Sequence, residues 1–285
     1  MSQKGIGERA PWGDFPPVVS NGDLGGLKNE PEYDAAKAGD WEAAAEMVYR
    51  LMTDEAVEQV RHLLNGRKAT ILPVLAREGE GNNKIPMVVA EVLARRLGAD
   101  VEYGILQAEK VGRTNQGADH RLAFNPHFTG EVKPGENYVV VDDTLTMGGT
   151  IASLRGYVEN RGGNVVGGMV MTAHPGALDI KVKQKMLNAI ERKHGAAMDE
   201  YWKQEFGYGI NQLTQGEAGH LKNAQSVDAI RDRISAARDA AGWGKSQSLA
   251  AGKREDQTAG LTGKKEQGEA EGLATDQASL AESAE

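Results

Sequence analysis

Cysteine is absent from this 285-residue chain, and no apolar run approaches the roughly 18 residues that a membrane-spanning helix needs. Residues 1–10 are polar and lack the apolar stretch of a secretory signal peptide. These absences exclude a disulfide-stapled fold, and we expect no insertion into a membrane. The sequence therefore predicts a cytoplasmic protein whose core forms without cross-links.

Several signatures of catalysis and binding are also missing. The six His residues show no H-x-x-x-H spacing, and there is neither a Ser-nucleophile motif nor a Walker-type loop. The formal net charge of −8 argues against a nucleic-acid partner, because phosphate contacts need clustered Lys and Arg. Small anionic ligands are not excluded, since they respond to the local potential rather than to the net charge.

Residues 138–150 carry the strongest pattern in the chain. The first four of them are apolar or aromatic and mostly β-branched, which is typical of a strand buried on both faces. Asp142 and Asp143 follow where that strand is predicted to end. A turn rich in hydroxyl groups and glycine then leads directly into a helical pattern over residues 151–161.

The turn before this helix is predicted to bind an anion. The first N–H groups of a helix have no intrahelical partner and carry the positive end of its dipole. Gly148 and Gly149 allow the backbone to curl round a phosphate, while Thr146 and Thr150 offer hydroxyl donors. The two carboxylates would repel a phosphate and should face neutral hydroxyls instead. A sugar phosphate with a vicinal diol satisfies both requirements.

This run resembles the phosphoribosyl-pyrophosphate signature of the type I phosphoribosyltransferase family, in which apolar residues, two acids and a small hydroxyl-bearing loop follow in this order. The resemblance implies that Asp142 and Asp143 hold the ribose 2- and 3-hydroxyls. It also implies a Mg²⁺ ion on the ribose and pyrophosphate oxygens, which the two acids would reach only indirectly. The ribose 5-phosphate would bind to the phosphate loop, which comprises Thr144, Leu145, Thr146, Met147, Gly148, Gly149 and Thr150.

Two positions depart from the family pattern. Thr144 stands where an aliphatic residue is commoner, and Met147 stands where a small hydroxyl residue is usual. Met147 keeps its backbone N–H, so we expect phosphate binding to survive with a loss of about 1 kcal/mol, the net contribution of one hydrogen bond. Thr146 replaces the acidic residue that some purine-specific members carry, which argues against purine salvage of that type.

A second strand-loop-helix unit is predicted earlier in the chain, with a strand over residues 69–76 and a helix over residues 86–97. Pro73 weakens the strand prediction, because proline cannot donate to a ladder. In the family this loop binds pyrophosphate. The residues that would do so here are Arg77, Glu78, Gly79 and Lys84, with Glu78 turned to Mg²⁺ or solvent; a plain surface loop is the alternative.

Residues 107–137 have no clear period and are too long for an ordinary connection after the strand predicted at 101–106. In the family this interval is a mobile hood that closes over the substrate. Lys110, Arg113 and Arg121 would neutralise the departing pyrophosphate, whereas a solvated basic loop is the alternative. The similarity to the ComF-like branch of the family rests on Lys110, Arg113, Thr114, Gln116, Arg121 and Phe124.

Strands that alternate with helices imply an α/β protein with a parallel sheet and with ligands at the carboxyl ends of its strands. The resemblance gives this sheet a Rossmann-like phosphoribosyltransferase core with N-terminal helices and a C-terminal helical extension. The predicted organisation is an irregular arm at 1–30, N-terminal helices at 31–66, the core at 67–178, a helical extension at 179–242 and a disordered tail at 243–285.

Aromatic residues leave two alternatives open. Trp12 and Phe15 either dock the arm on the core or stay exposed. A cluster in the helical extension either stacks on a base or packs in the core; it consists of Tyr201, Trp202, Phe206 and Tyr208. His174 follows the last predicted strand, residues 164–173, and either lies near a base pocket or has a structural role.

The leading hypothesis is transfer of ribose 5-phosphate from phosphoribosyl pyrophosphate to a nucleobase-like nitrogen acceptor, with release of pyrophosphate. Its catalytic residues would be Asp142, Asp143, Arg77, Lys110 and Arg113. The alternatives are a non-catalytic regulator that binds phosphoribosyl pyrophosphate or a nucleotide and contacts a protein partner, and a scaffold that has lost the ligand. A homo-oligomer stays open.

Overall fold

The computed structural model describes residues 7–76, 83–108 and 117–240. Within these ranges the strands are β1 (Val19–Asp23), β2 (Thr70–Pro73), β3 (Leu75–Ala76), β4 (Leu106–Gln107), β5 (Phe128–Thr129), β6 (Asn137–Leu145) and β7 (Asn164–Ala173). The helices are α1 (Tyr33–Ala38), α2 (Trp41–Leu51), α3 (Asp54–Leu64), α4 (Ile85–Leu97), α5 (Ala118–Ala123), α6 (Gly149–Glu159), α7 (Gln184–His194), α8 (Ala197–Phe206), α9 (Gln215–Asn223) and α10 (Val227–Ala240).

Four strands form the central sheet in the order β1-β7-β6-β2, and every neighbouring pair is parallel. Val139 of β6 pairs with Ile71 of β2 on one side and with Gly167 of β7 on the other. The run of residues 138–141 is fully buried, as its apolar character predicts. The predicted α/β class with a parallel sheet is confirmed.

Helices cover both faces of this sheet. On one face, Val139 and Val141 belong to a core cluster with residues of α2, α3 and α4, among them Met47 and Val89. On the other face, Val140 belongs to a second cluster with α6, including Leu154. Because α6 joins two neighbouring parallel strands, β6 and β7, its N-terminus lies at the carboxyl end of β6.

The first predicted strand, residues 69–76, is divided between two sheets. Pro73 is the last residue of β2, and the ladder to β6 continues through a hydrogen bond from the Val74 N–H to the Val141 carbonyl, 2.9 Å. β3 then begins a small sheet with β4 and β5. The strand predicted at 101–106 is also shorter than expected, because Val101 forms only an isolated bridge with Ile71 and β4 starts at residue 106.

The N-terminal arm differs from the prediction of an irregular segment through residue 30. β1 lies at the edge of the central sheet beside β7, from Val19↔Met169 to Asp23↔Ala173. Trp12 and Phe15 are buried, at 8% and 4% exposure, and the Trp12 indole N–H donates to the Leu213 carbonyl, 2.8 Å. The arm is therefore ordered by a partner strand 150 residues further along the chain, which no local pattern reveals.

The helical extension buries the aromatic cluster. Trp202 and Phe206 are stacked with ring centroids 4.3 Å apart and are 0% and 2% exposed, and Tyr201 and Tyr208 are each 7% exposed. Core packing is thus the alternative that the structure selects for these residues. No helix among the described residues has the length and the apolar character that crossing a bilayer requires.

The chain divides into two compact units, Met1–Ile234 and Ser235–Glu285. Of the second unit, the structure describes only residues 235–240, which form the end of α10. The tail predicted at 243–285 lies outside the described residues.

Candidate functional site

The two acids lie inside β6 rather than after it. The strand was expected to end at Val141, yet its ladder with β7 continues through Asp142↔Val170 to Leu145↔Ala173. Since side chains alternate across a strand, Asp142 and Asp143 point to opposite faces of the sheet at its carboxyl end.

Asp143 is 7% exposed and is held by two donors. The Lys37 ammonium lies 2.6 Å from its Oδ2, and the Asn83 amide donates to the same oxygen at 2.9 Å. Burial acts to lower the pKa of Lys37, but the charge of Asp143 and its hydrogen bond outweigh burial, so the pKa is raised. Sequence reasoning missed both donors, because neither lies in a motif and Lys37 is 106 residues from its partner.

Asp142 is partly exposed and borders a cavity at the end of β6. Its Oδ1 accepts the backbone N–H of Asp143, 2.8 Å. Desolvation by the surrounding protein, followed by the charge of Asp143, raises the pKa of the Asp142 carboxyl well above its ordinary value. The two neighbouring acids therefore have different environments: Asp143 forms an ion pair with Lys37, whereas Asp142 feels the Lys37 charge only at longer range.

The phosphate loop ends in a left-handed residue at the start of α6. Gly148 has φ = 79° and is the N-cap residue of the helix, where it has no side chain to cap the first N–H groups. These groups point along the helix axis towards the carboxyl end of β6, and they carry the positive end of the helix dipole. The local geometry is the one that the sequence predicts for an anion site.

The helical extension supports this loop from behind. The Thr214 hydroxyl donates to the Met147 carbonyl at 2.5 Å, and a Cβ atom added to Gly216 would lie 3.2 Å from the Met147 Cα. Thr214 also forms a capping box with Glu217 at the start of α9. Met147, the departure from the family pattern, is therefore a packing position against the extension.

Arg121 reaches the loop from α5. Its guanidinium donates to the Thr146 hydroxyl, 2.5 Å. The sequence placed Arg121 in the hood as a cation for pyrophosphate, whereas the structure brings it to the phosphate loop. A cation beside the loop favours an anion at the N-terminus of α6.

A cavity of about 390 Å³ connects these groups. It is lined by residues 142–151 and by nine residues from other segments: Leu24, Gly25, Leu27, Lys28, Tyr33, Lys37, Arg121, Thr172 and Glu217. This volume lies in the range of about 300–1,000 Å³ that is usual for small-molecule sites. The structure thus places both acids and the whole phosphate loop round one space.

Several predicted site residues are not among those that the structure describes. Arg77, Glu78, Gly79, Lys110 and Arg113 fall outside the described residues. The segments that contain them follow β3 and β4, whose last residues pair side by side as Ala76↔Gln107.

Two further predicted positions are described but do not line the cavity. Lys84 is the N-cap residue of α4, and its backbone N–H donates to the Ala36 carbonyl, 3.1 Å. The His174 Nδ1 accepts the Gly176 N–H at 3.1 Å, which is a structural role at the start of a short 3₁₀ turn.

Asp143 Oδ2 is poorly suited to direct contact with a Mg²⁺ ion. Asp143 Oδ2 already accepts from Lys37 and Asn83, and an ammonium beside a carboxylate repels a second cation. Mg²⁺ also requires oxygen ligands in near-octahedral geometry. Across residues 7–76, 83–108 and 117–240, no three His, Asp or Glu side chains are grouped as a metal site requires.

Comparison with known proteins gives two relatives, while no family model matches the chain. Protein TraN of Escherichia coli is 66% identical over 241 residues, which cover 85% of this chain and 54% of that protein. An uncharacterized protein of Haemophilus influenzae is 40% identical over 151 residues, or 53% of this chain and 34% of that protein. The chain therefore spans about half of the first relative and a third of the second.

Similar solved structures include adenine phosphoribosyltransferases. The enzyme from Saccharomyces cerevisiae has a TM-score of 0.30 and 14% identity, with coverage of 52% of this chain and 73% of that one. The enzyme from Rhodothermus marinus has a TM-score of 0.29 and 17% identity, with coverage of 44% and 70%. At these TM-scores the likeness carries no argument about the function of this chain.

Proposed function

We propose that this chain binds phosphoribosyl pyrophosphate in the cavity at the end of β6 and transfers its ribose 5-phosphate to a nucleobase-like nitrogen acceptor. The observation that carries the proposal is the junction of β6 and α6. There, a helix N-terminus without a side-chain cap and the carboxyl of Asp142 line one space of about 390 Å³. The helix N-terminus suits the phosphate of a sugar phosphate, and the carboxyl suits its diol.

The phosphate end is supported by three independent contributions. Gly148 opens the start of α6, where backbone N–H groups bind an anion. Thr146 offers a hydroxyl group. Arg121 donates a hydrogen bond to that hydroxyl and brings a positive charge to the loop. Together they would hold a dianionic 5-phosphate without help from a metal ion.

The diol end rests on the two acids. Asp142 lines the cavity, and Asp143 is fixed by Lys37 and Asn83. Fixed acceptors of this kind orient the ribose ring, and orientation lowers the barrier to substitution at its anomeric carbon. Any Mg²⁺ would arrive on the pyrophosphate oxygens as a part of the substrate.

In the proposed reaction the bond from the anomeric carbon to the pyrophosphate oxygen breaks, and a bond from the acceptor nitrogen to the same carbon forms. The pyrophosphate leaves with the bonding electron pair, and the acceptor nitrogen releases its proton to solvent water. Arg77, Lys110 and Arg113 would stabilise the charge on the leaving group, an electrostatic contribution of the preorganised kind. Their segments depart from the adjacent strands β3 and β4.

A second candidate is a non-catalytic regulator that binds the same ligand and contacts a protein partner. The buried aromatic cluster favours it, because the side chains that the sequence offered for stacking on an acceptor are in the core. The ComF-like relationship, the cytoplasmic location and a homo-oligomer remain predictions that accompany either candidate.

The test is calorimetric titration of the purified chain with phosphoribosyl pyrophosphate, beside an Asp142→Asn/Asp143→Asn double variant. We expect wild-type binding and a roughly 100-fold loss in the variant, since a hydrogen bond to a charged group contributes about 1.5–3 kcal/mol. Asp199→Asn, which alters a carboxyl outside the cavity, should bind as the wild type does. Folded wild-type protein without binding would refute both candidates.

Turnover separates the two candidates. The wild-type chain is incubated with phosphoribosyl pyrophosphate and a panel of purine, pyrimidine and pyridine bases, and pyrophosphate release is measured. Release that depends on one base supports the transferase. Tight binding without release with any base supports the regulator.

A further inference from the structure

Lys37 is the one cavity-lining residue whose charge directly opposes an acid of β6 within the described part of the chain. Its ammonium lies 2.6 Å from Asp143 Oδ2, with side-chain exposures of 24% for Lys37 and 10% for Asp143. Because both side chains are partly buried, solvent screens this ion pair only weakly. The attraction between the Lys37 ammonium and the Asp143 carboxylate is therefore stronger than that of a fully exposed pair.

The position of Lys37 is fixed by the elements round it. It lies in the last turn of α1, whose Ala36 carbonyl accepts the Lys84 N–H at the start of α4. The ammonium also lies 5.9 Å from the centre of the Tyr33 ring, one turn earlier in the same helix. Because α1 is packed against α4, the Lys37 ammonium is in position before any ligand enters the cavity.

A divalent ion that bound Asp143 through Oδ2 would compete with Lys37 for that oxygen. Asp143 Oδ2 accepts from both Lys37 and Asn83, so a metal ion on that oxygen would have to displace two donors. The Lys37 ammonium thus supplies a positive charge beside Asp143 that a metal ion could otherwise supply.

We propose that Lys37 is the resident cation of this site, and that it makes binding of the ribose 5-phosphate part of the ligand independent of divalent metal. The proposal rests on the sugar-phosphate site proposed above and concerns how that site is charged. Lys37 acts here as a positioning residue: it holds Asp143 in the orientation that accepts the diol, and it cancels a charge that would repel the phosphate.

The probe is ribose 5-phosphate, which carries the diol and the phosphate but no pyrophosphate. Its affinity is measured by calorimetry for the wild type, Lys37→Met and Lys37→Arg, each in EDTA and again with millimolar Mg²⁺. Lys203→Met is the matched control, since it removes a lysine that lies 2.6 Å from Asp199 and is outside the cavity. Circular dichroism and a thermal melt establish that every variant is folded.

We expect the wild type and Lys203→Met to bind equally well in both buffers. Lys37→Met should lose about tenfold or more in EDTA and recover part of that loss with Mg²⁺, which can then reach the unpaired Asp143. Lys37→Arg should bind in EDTA, because it keeps the charge. A merely structural role of Lys37 would give a loss that Mg²⁺ does not restore.

Wild-type binding that requires Mg²⁺ would overturn this inference and leave the proposed function standing. Equal affinity of Lys37→Met and wild type in EDTA would overturn it as well. The absence of binding by folded wild type in both buffers would refute the sugar-phosphate site itself and the inference with it.

Discussion

Gly148 determines the shape of the phosphate loop. Its φ of 79° lies in the left-handed region, and a Cβ atom at this position would lie 3.3 Å from Ile180 Cγ2 and 3.4 Å from Thr214 Cγ2. Glycine therefore meets two demands here: a backbone conformation that other residues adopt at a cost, and space that the helical extension fills.

We predict that Gly148→Ala destabilises the protein by about 1–2 kcal/mol, the cost of a left-handed L-residue, with some added crowding. It should also weaken phosphate binding, because the loop would shift away from its neighbours. Urea unfolding and phosphate titration measure the two effects. Gly135→Ala is the control: φ is 78° there, but a Cβ atom would have no neighbour within 4 Å. Gly135→Ala should lose a similar amount of stability but bind phosphate as the wild type does. Equal losses of phosphate affinity in the two variants would contradict the prediction.

The partner of Asp143 could not be read from the sequence, whereas the acids themselves could. Asp142 and Asp143 stand next to a buried apolar run, and this local pattern singled them out, although it placed the end of the strand too early. Lys37 lies in a six-residue helix, 106 residues away, and its own neighbours give no reason to single it out. Local patterns made the loop and both acids candidate site residues, which stay predictions, whereas the charge balance round Asp143 depends on tertiary contacts.

The same distinction holds for whole elements. A helix was predicted over residues 86–97 and a strand over residues 164–173; α4 begins one residue earlier and β7 has the predicted bounds, since an apolar stripe or run defines each of them. β1 has five residues, lies between glycines and prolines, and was not found, because its order comes from β7. An edge strand without a period of its own is recognisable only once its partner is known.

Trp12 links the arm to the rest of the structure. The indole is 8% exposed and donates to the Leu213 carbonyl, while the Arg155 guanidinium lies 5.1 Å from the ring centre. Arg155 in turn donates to the Pro11 carbonyl at 2.7 Å. The segment before β1 is thus fixed by both an aromatic contact and hydrogen bonds.

We predict that Trp12→Ala lowers the free energy of unfolding by about 3–5 kcal/mol, the usual range for removing a buried large aromatic side chain. The matched control is Trp41→Ala, because Trp41 is 44% exposed at the start of α2 and should cost under about 1 kcal/mol. Urea unfolding of both variants provides the measurement. Similar losses for the two tryptophans would show that the arm contributes nothing through Trp12.

Within the first compact unit, residues of the N-terminal arm and of the helical extension bond to one another near the phosphate loop. Arg9 donates to Glu217 of α9 at 2.9 Å and to Asn125 at 2.8 Å, and Asn125 donates to the Tyr208 hydroxyl at 3.2 Å. The side chains of Arg9 and Glu217 are 1% and 2% exposed. Since Glu217 also caps α9 next to Thr214, which bonds to Met147, this network connects the arm and the extension to the site.

A buried ion pair is a weak source of net stability, but breaking it by removing one partner is costly. Glu217→Gln keeps the shape of the side chain and an oxygen for the Thr214 N–H, yet leaves the Arg9 charge buried without its counter-charge. We predict a loss of about 3–5 kcal/mol in urea unfolding. We also predict weaker phosphate binding, because Thr214 would hold Met147 less firmly.

The control for this variant is Asp228→Asn, which breaks an exposed ion pair with Arg231 and should change stability by at most about 1 kcal/mol. A loss for Glu217→Gln no larger than that of the control would mean that Arg9 finds water or another acceptor when its partner is neutral. An undiminished phosphate affinity, with the stability loss present, would show that the network holds the arm and the helical extension together without shaping the loop. Both losses together would show that the phosphate loop depends on the ion pair between Arg9 and Glu217, which are 208 residues apart in the sequence.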